Sequence, residues 1–313
     1  MSERNEDGPE VGLLHSRFPV YRREALESYW MSKLDKGSDR DRGLILVATQ
    51  VVEQSVDIDS DLLITELAPT DMLLQRLGRL WRHKRPDRPC EQPIVLIAAG
   101  NIAEADDVDT LEMVLGRSYH VYSPYVLWRS YYVWKDRKRV IIPDQIRALL
   151  DATYSHTPGD EPEYIQQLRE QLESRRLQLR EMAVGGLAQS MPMMDDDEHV
   201  ATRYSTSPRV QVLLVREARV MGSKAELLLI NDERVTVDGK VRDLETTKKL
   251  YRNLTPVPAY LAPTARNPSY LKKYIYEDVA VLTLREDGRL MDQDGTATSL
   301  GYSEHLGVYR IED

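Results

Sequence analysis

Along the first hundred residues, short apolar runs alternate with stretches in which apolar side chains recur every three or four positions. Alternation of strand-like and helix-like patterns predicts an α/β fold with a parallel sheet. Residues 11–14 read as a strand and 19–34 as a helix with Leu26, Trp30 and Leu34 on one face; 44–48, 62–66 and 94–98 read as further buried strands. Between the last two a helix begins near Thr70 or Asp71, either of which can cap its first turn. After about residue 117 the pattern turns helical, over 119–135, 143–154 and a long charged stretch at 161–182. Residues 185–208 mix glycine, methionine and proline with an acidic run and show no periodicity, which predicts a linker. Beyond it, 210–215, 227–230 and 279–284 read as strands, with Asp238-Gly239-Lys240 and Asp287-Gly288-Arg289 as hairpin turn signals, so a small β-rich domain with one or two helices is expected.

Length agrees with more than one core, since 313 residues suffice for two domains of roughly 150 each. A composition of 42% hydrophobic and 30% charged residues is that of an ordinary globular chain. Cys90 is the sole cysteine, so the chain alone can form neither an internal disulfide nor a thiolate zinc site, and a reducing cytoplasm is expected. The polar N-terminus lacks an apolar signal segment, and the apolar runs are too short to span a bilayer, so no membrane association is expected. A net charge of -9 argues against wrapping duplex DNA over the whole surface. Charge is nevertheless patterned: six Arg or Lys against Asp87 alone lie between Arg76 and Arg88, whereas Asp195, Asp196, Asp197 and Glu198 form an acidic block. Nucleic acid, if bound, must use selected stripes.

Three segments carry candidate chemistry. In DMLLQRLGRLWRH, residues 71–83, a helix would place Gln75, Gly78, Arg79 and Arg82 in one quadrant and Leu73, Leu77 and Leu80 opposite. Two guanidinium groups one turn apart, beside a small residue, suit a γ-phosphate whose charge must be stabilised during transfer, a contribution of about 10³ to 10⁵ in rate. A solvated arginine-rich helix face has the same spacing. In VATQVVEQSVDID, residues 47–59, Thr49 and Gln50 sit at the C-terminal end of an expected parallel strand, where open α/β sheets bind ligands, and can hydrogen-bond a phosphodiester backbone. Asp57 can accept a hydrogen bond from a ribose hydroxyl; an ordinary strand-to-loop transition with Asp57 capping a turn is the alternative. In GLLHSRF, residues 12–18, a strand ends in His15, Ser16 and Arg17, and Ser16 or Arg17 can touch a phosphate backbone, although so short a run recurs by chance. Tyr125, Trp128, Tyr131, Tyr132 and Trp134 admit a base-stacking platform, but helical spacing favours packing.

In this order the three segments resemble motifs IV, V and VI of the second RecA-like domain of superfamily 2 helicases; Gln75, Gly78, Arg79 and Arg82 match the family's QxxGRxxR in full. More narrowly, LLHSRF, ATQVVEQSVDID and DMLLQRLGRLWRH look like the signature helicase-nuclease of type I CRISPR systems. Common RNA helicases carry Asp where this chain has Gln50, and Arg-Gly where it has Gln54-Ser55. YSPYVLWRSYYVW and IIPDQIRALLDATY also resemble the CRISPR enzyme, so the likeness extends to about Tyr154 and rests on position and length thereafter.

The resemblance implies a second RecA-like helicase domain over 1–117, a helical linker region over 118–202 and an accessory C-terminal domain over 203–313. It implies arginine fingers at Arg79 and Arg82, further ATP contacts at Gln75, Gly78 and Asp57, and DNA-backbone contacts at Ser16, Arg17, Thr49 and Gln50. The implied activity is that of the C-terminal part of an ATP-dependent, 3′-to-5′ single-strand DNA translocase that unwinds and degrades invader DNA. Implied partners are single-stranded DNA, a first RecA-like half, an HD nuclease, in cis or in trans, and the CRISPR surveillance complex; the cofactor is ATP with Mg2+, mostly held by that first half. Two other readings stay open: a non-catalytic DNA-binding or complex-docking module, and part of another superfamily 2 DNA helicase.

These residues contain no Gly-Lys-Thr/Ser phosphate loop; Asp238-Gly239-Lys240 is followed by Val241, which has no hydroxyl for magnesium. There is no His-Asp dipeptide, and His15, His83, His120, His156, His199 and His305 lack metal-ligand spacing. The chain by itself is expected to hydrolyse no ATP.

Overall fold

A computed structural model describes residues 8–38, 40, 43–49, 57–155, 161–188 and 209–311. Strands β1 (Glu10–Leu14) and β2 (Leu44–Ala48) run parallel, Glu10 opposite Leu44 and Leu14 opposite Ala48, and α1 (Val20–Leu34) lies between them in sequence. Trp30 and Leu34 of α1 are buried against Ile58 and the inner residues Leu44 and Leu46. Gly12 is where the backbone lets the Trp30 indole approach, because a Cβ there would stand 1.9 Å from its ring. A second parallel pair joins β3 (Leu62–Glu66) to β4 (Ile94–Ala98), with α2 (Thr70–Leu77) between them.

Helices follow: α3 (Val108–Leu115), α4 (Arg117–Val121), α5 (Pro124–Trp134), α6 (Ile146–Tyr154) and α7 (Glu163–Ala188). The periodicity overlooked α3, which begins with a reciprocal cap: Asp107 Oδ1 accepts from the Thr110 amide at 2.7 Å while the Thr110 hydroxyl accepts from the Asp107 amide. The single helix expected over 119–135 is broken at Tyr122 and Ser123, both extended, because Pro124 disfavours helical backbone in the residue before it. Trp134 is buried, while Tyr125, Trp128 and Tyr131 pack against the core made by Leu73, Leu111, Leu127, Leu149 and Ile165. Four of the five aromatics therefore pack, whereas Tyr132 is exposed and lies outside that core.

The last hundred residues form an eight-stranded sheet of β5 (Arg209–Met221), β6 (Lys224–Leu229), β7 (Arg234–Asp238), β8 (Leu254–Pro258), β9 (Val279–Leu284), β10 (Arg289–Met291), β11 (Ala297–Ser303) and β12 (Gly307–Arg310), with α8 (Leu244–Arg252) between β7 and β8. The order is β12-β11-β10-β9-β5-β6-β7, with β8 added to β5. β5 and β9 are parallel and the other pairs antiparallel. Alternation in β5 sends Leu213 and Val215 into one core and Val212 and Leu214 into another, which explains its unbroken apolar run. Asp287-Gly288-Arg289 does turn β9 into β10, with Gly288 at φ 85°. Asp238-Gly239-Lys240 does not join two strands; after the single bridge Asp238–Val241 the chain enters α8.

Contacts gather these elements into two units, 1–58 with 207–313, and 59–206. This grouping by contacts is drawn at 58 and 206, whereas the sequence pattern places boundaries at 117 and 202. β1 and α1 are fastened to the β-rich sheet through Ser16, Arg17, Tyr21 and Arg22, whereas α2 shares its core with α3, α5, α6 and α7. The strands expected to be buried are covered on one face: Ile45, Val47, Ile64 and Leu96 are 48%, 54%, 68% and 53% exposed. Most of the expected linker, 189–208, lies outside the described residues, and residues 185–188 continue α7. No helix of the described residues is long and apolar enough to cross a membrane.

Candidate functional site

Ser16 and Arg17 follow β1, and Thr49 follows β2. Parallel pairing puts the C-terminal ends of both strands at one edge, and the Thr49 amide donates to the Leu14 carbonyl at 3.1 Å. Sequence and structure agree on this placement of the three residues. Gln50 lies outside the described residues. Arg17 is exposed and Ser16 half-buried. Their turn is stiff: the Arg17 amide donates to His15 Nδ1 at 3.1 Å, and the His15 ring stacks on the fully buried Phe18 with centroids 4.7 Å apart. Burial, and then the charge of Arg17, hold the His15 pKa below the usual histidine value. A neutral ring can accept at Nδ1, as the geometry requires. Asp57, in the same unit, is exposed just ahead of the buried Ile58.

The arginine segment differs from the helix expected over 71–83. α2 ends at Leu77; Gly78 is its C-cap, and the next amides bond three residues back, Arg79 to Arg76 and Leu80 to Leu77. Leu80 then makes a single parallel bridge with Ser60, and Trp81 takes a left-handed φ of 49°. Arg79 and Arg82 are consequently not one helical turn apart on a common face. Gln75 and Arg82 are exposed and Arg79 half-buried, while Leu73 is buried and Leu77 and Leu80 partly so. Neither Thr70 nor Asp71 caps α2: its N-cap is Pro69 without a side-chain bond. The Thr70 hydroxyl instead accepts from Trp134 Nε1 at 3.1 Å and from the Thr153 hydroxyl at 2.6 Å, and Asp71 accepts from the Tyr154 hydroxyl.

A latch holds the chain after α2. The Ser60 amide donates to the Arg79 carbonyl at 2.8 Å, the Ser60 hydroxyl donates to it as well, and the Trp81 amide donates to the Ser60 carbonyl at 2.9 Å. Asp59 is fully buried and receives Arg88 on both carboxylate oxygens at 2.9 Å; Arg85 approaches at 3.4 Å. The second arm of Arg88 reaches Asp61 at 2.6 Å, and its guanidinium lies 4.9 Å from the centre of the Trp81 ring. Trp81 Nε1 in turn donates to the Asp61 carbonyl at 3.0 Å. Arg76 is turned toward Thr65 and Tyr122. Three of the six basic residues between 76 and 88 therefore fasten the fold. The alternating acids Asp57, Asp59 and Asp61, followed by that basic run, were the available sign of the latch.

Residues 1–85 match the family described as CRISPR-associated nuclease/helicase Cas3, C-terminal. The CRISPR-associated endonuclease/helicase Cas3 of Escherichia coli (strain K12) is 35% identical over 207 residues, 64% of this chain and 22% of that protein. The same-named protein of Thermus thermophilus is 37% identical over 206 residues, 64% of this chain and 20% of that protein. The chain thus matches about a fifth of the length of these relatives. In fold it is similar to T. fusca Cas3-ADP, with a TM-score of 0.60 and 25% identity over 97% of this chain and 36% of that one. It is likewise similar to a chain in the structure "CRISPR RNA-guided surveillance complex, pre-nicking", with a TM-score of 0.62 and 24% identity over 96% of this chain and 37% of that one.

Proposed function

Because the chain is related to the C-terminal part of the CRISPR-associated nuclease/helicase Cas3, we propose that it forms the second half of an ATP-dependent motor that moves on single-stranded DNA. The observation that carries this reading is Gln75, Gly78, Arg79 and Arg82 on a latched segment, with the Arg82 side chain exposed. Arg82 and Arg79 stabilise the charge that develops on a γ-phosphate; Gln75 orients it, and Gly78 leaves its outer side open. Asp57 holds the ribose. Ser16, Arg17, Thr49 and Gln50 grip the DNA backbone without reading sequence. Within the unit of residues 59–206, exposed arginine and amide groups suit the phosphates of a nucleoside triphosphate. ATP with Mg2+ supplies the transferred phosphoryl group and the free energy of stepping.

The phosphate loop and a nuclease come from other residues, in cis or in trans, and the assembled motor works with a CRISPR surveillance complex to degrade invader DNA. By itself the chain turns over no ATP, because arginine fingers without a phosphate cradle have no reaction to accelerate. The test is DNA-stimulated ATP hydrolysis after mixing the chain with a separately expressed first motor half. Activity that requires both, and falls by about 10³ or more in Arg82→Ala, is the expected result. Stable association with no hydrolysis would leave a binding module; turnover by the chain alone, lost in Arg82→Ala, would overturn the split of the site.

A further inference from the structure

The turn after β1 is held by residues that come nearly three hundred positions later. The Val308 amide at the start of β12 donates to the Arg17 carbonyl at 2.9 Å. The fully buried Thr255 of β8 directs its hydroxyl to the Ser16 carbonyl at 3.4 Å. Gly307 has φ 65°, and a Cβ on it would stand 2.7 Å from the Arg17 carbonyl oxygen and 3.1 Å from the His15 ring. Both backbone carbonyls of the Ser16–Arg17 pair are thus engaged by the β-rich sheet, while Arg17 is an exposed residue. Next to this turn, Arg22 of α1 pairs with Glu304 at 3.2 Å and Tyr21 donates to the same carboxylate, which clamps the start of α1 to the turn that precedes Gly307. If the sheet served only to bury apolar surface, its inner residues would suffice; a left-handed glycine pressed against the carbonyl of an exposed arginine fixes the backbone from which that arginine projects.

We propose that Gly307 and Thr255 are positioning residues for DNA: they fix the Ser16–Arg17 backbone so that the Arg17 guanidinium meets one phosphate of single-stranded DNA. This rests on the reading of Arg17 as a backbone contact. The β-rich domain is on this account part of the DNA grip although neither residue touches the strand. A fixed turn keeps the backbone's ordering cost out of binding, whereas a shift of about 1 Å in the carbonyl moves the base from which the long side chain must reach its phosphate.

The experiment measures binding of a labelled oligothymidine to this chain by fluorescence anisotropy over a series of salt concentrations. Arg17→Ala should weaken binding about 3- to 10-fold and lower the slope of log affinity against log salt by about 0.7, the value for one phosphate on a single strand. Gly307→Ala should lower that slope by the same amount, and the double variant should lose no more than either single one. Gly222→Ala is the control: Gly222 has the same φ of 65° with nothing within 4 Å of its Cβ position, so the variant suffers backbone strain but keeps the slope. Thr255→Val, which removes only the hydroxyl contact, decides the matter if Gly307→Ala does not fold, and it too should lower the slope. A reduced slope in Arg17→Ala with a wild-type slope in Gly307→Ala and Thr255→Val would overturn the positioning role and leave the DNA contact standing. A wild-type slope in Arg17→Ala would sink the DNA contact itself.

Discussion

Asp59→Ala should be among the most damaging single substitutions in the unit of residues 59–206. The carboxylate is fully buried, and Arg88, whose side chain is 4% exposed, donates to both of its oxygens at 2.9 Å. Deleting Asp59 leaves the buried Arg88 with the partly exposed Asp61 as its remaining carboxylate partner, so the cost approaches but does not exceed the about 3–5 kcal/mol of a fully stranded charge. Asp61 is also bonded to Arg88, but its side chain is 21% exposed and water can replace it. Asp61→Ala should therefore cost less, about 1–2 kcal/mol. Against a total of about 5–15 kcal/mol for a domain, the first loss is a large fraction. Urea denaturation followed by tryptophan fluorescence reads it out, since Trp81, Trp128 and Trp134 lie in this unit and Trp30 in the other. The midpoint should fall without a change in slope. Asp59→Leu combined with Arg88→Met should recover most of the loss, because the desolvation cost of both charges disappears together. A loss below about 1 kcal/mol for Asp59→Ala would mean that water reaches the pair, and the latch argument would fail.

Other outcomes follow from single contacts. Thr70→Val leaves Trp134 Nε1 and the Thr153 hydroxyl without a shared buried acceptor, and should cost about 1–3 kcal/mol in the same urea assay. Tyr270→Phe should be neutral or stabilising by up to about 1 kcal/mol, because the buried hydroxyl has no hydrogen-bond partner among the described residues and burial pushes its pKa up to about 12; destabilisation would reveal a partner. His15 has its pKa lowered in the fold, so the unfolded chain takes up the proton first as pH falls below about 6.5. Its contribution is full above that value and is lost toward the folded pKa. Comparing wild type with His15→Gln at pH 7.5 and pH 5.5 should show the variant losing less stability on acidification, and equal losses would contradict it.

How far the sequence reached is visible in the site. β2, β3, β4 and β9 lie where the apolar runs place them, and Ser16, Arg17 and Thr49 stand at the strand ends that the pattern assigns. The geometry of the arginines was not legible. Apolar spacing alone continues a helix to His83, but Ser60 offers its backbone to Arg79 and Trp81, and those long-range bonds replace the next helical turn. The failed caps have the same origin, since the Thr70 hydroxyl is taken by Trp134 and Thr153, residues distant in sequence.

Side-chain identity and the local periods of helix and strand were enough to read most element types, the apolar faces and the chemistry of the candidate groups, α3 being the exception. Only the tertiary structure decided where α2 stops, which arginines face inward, and that β1 and α1 are gathered with the β-rich sheet. Each of those outcomes depends on a partner far along the chain: Asp59 for Arg88, Ser60 for Arg79, and Gly307 and Thr255 for the turn at Arg17. A buried charge must find its counter-charge and a backbone carbonyl its donor wherever the fold delivers them, and neither demand leaves a periodic mark in the sequence.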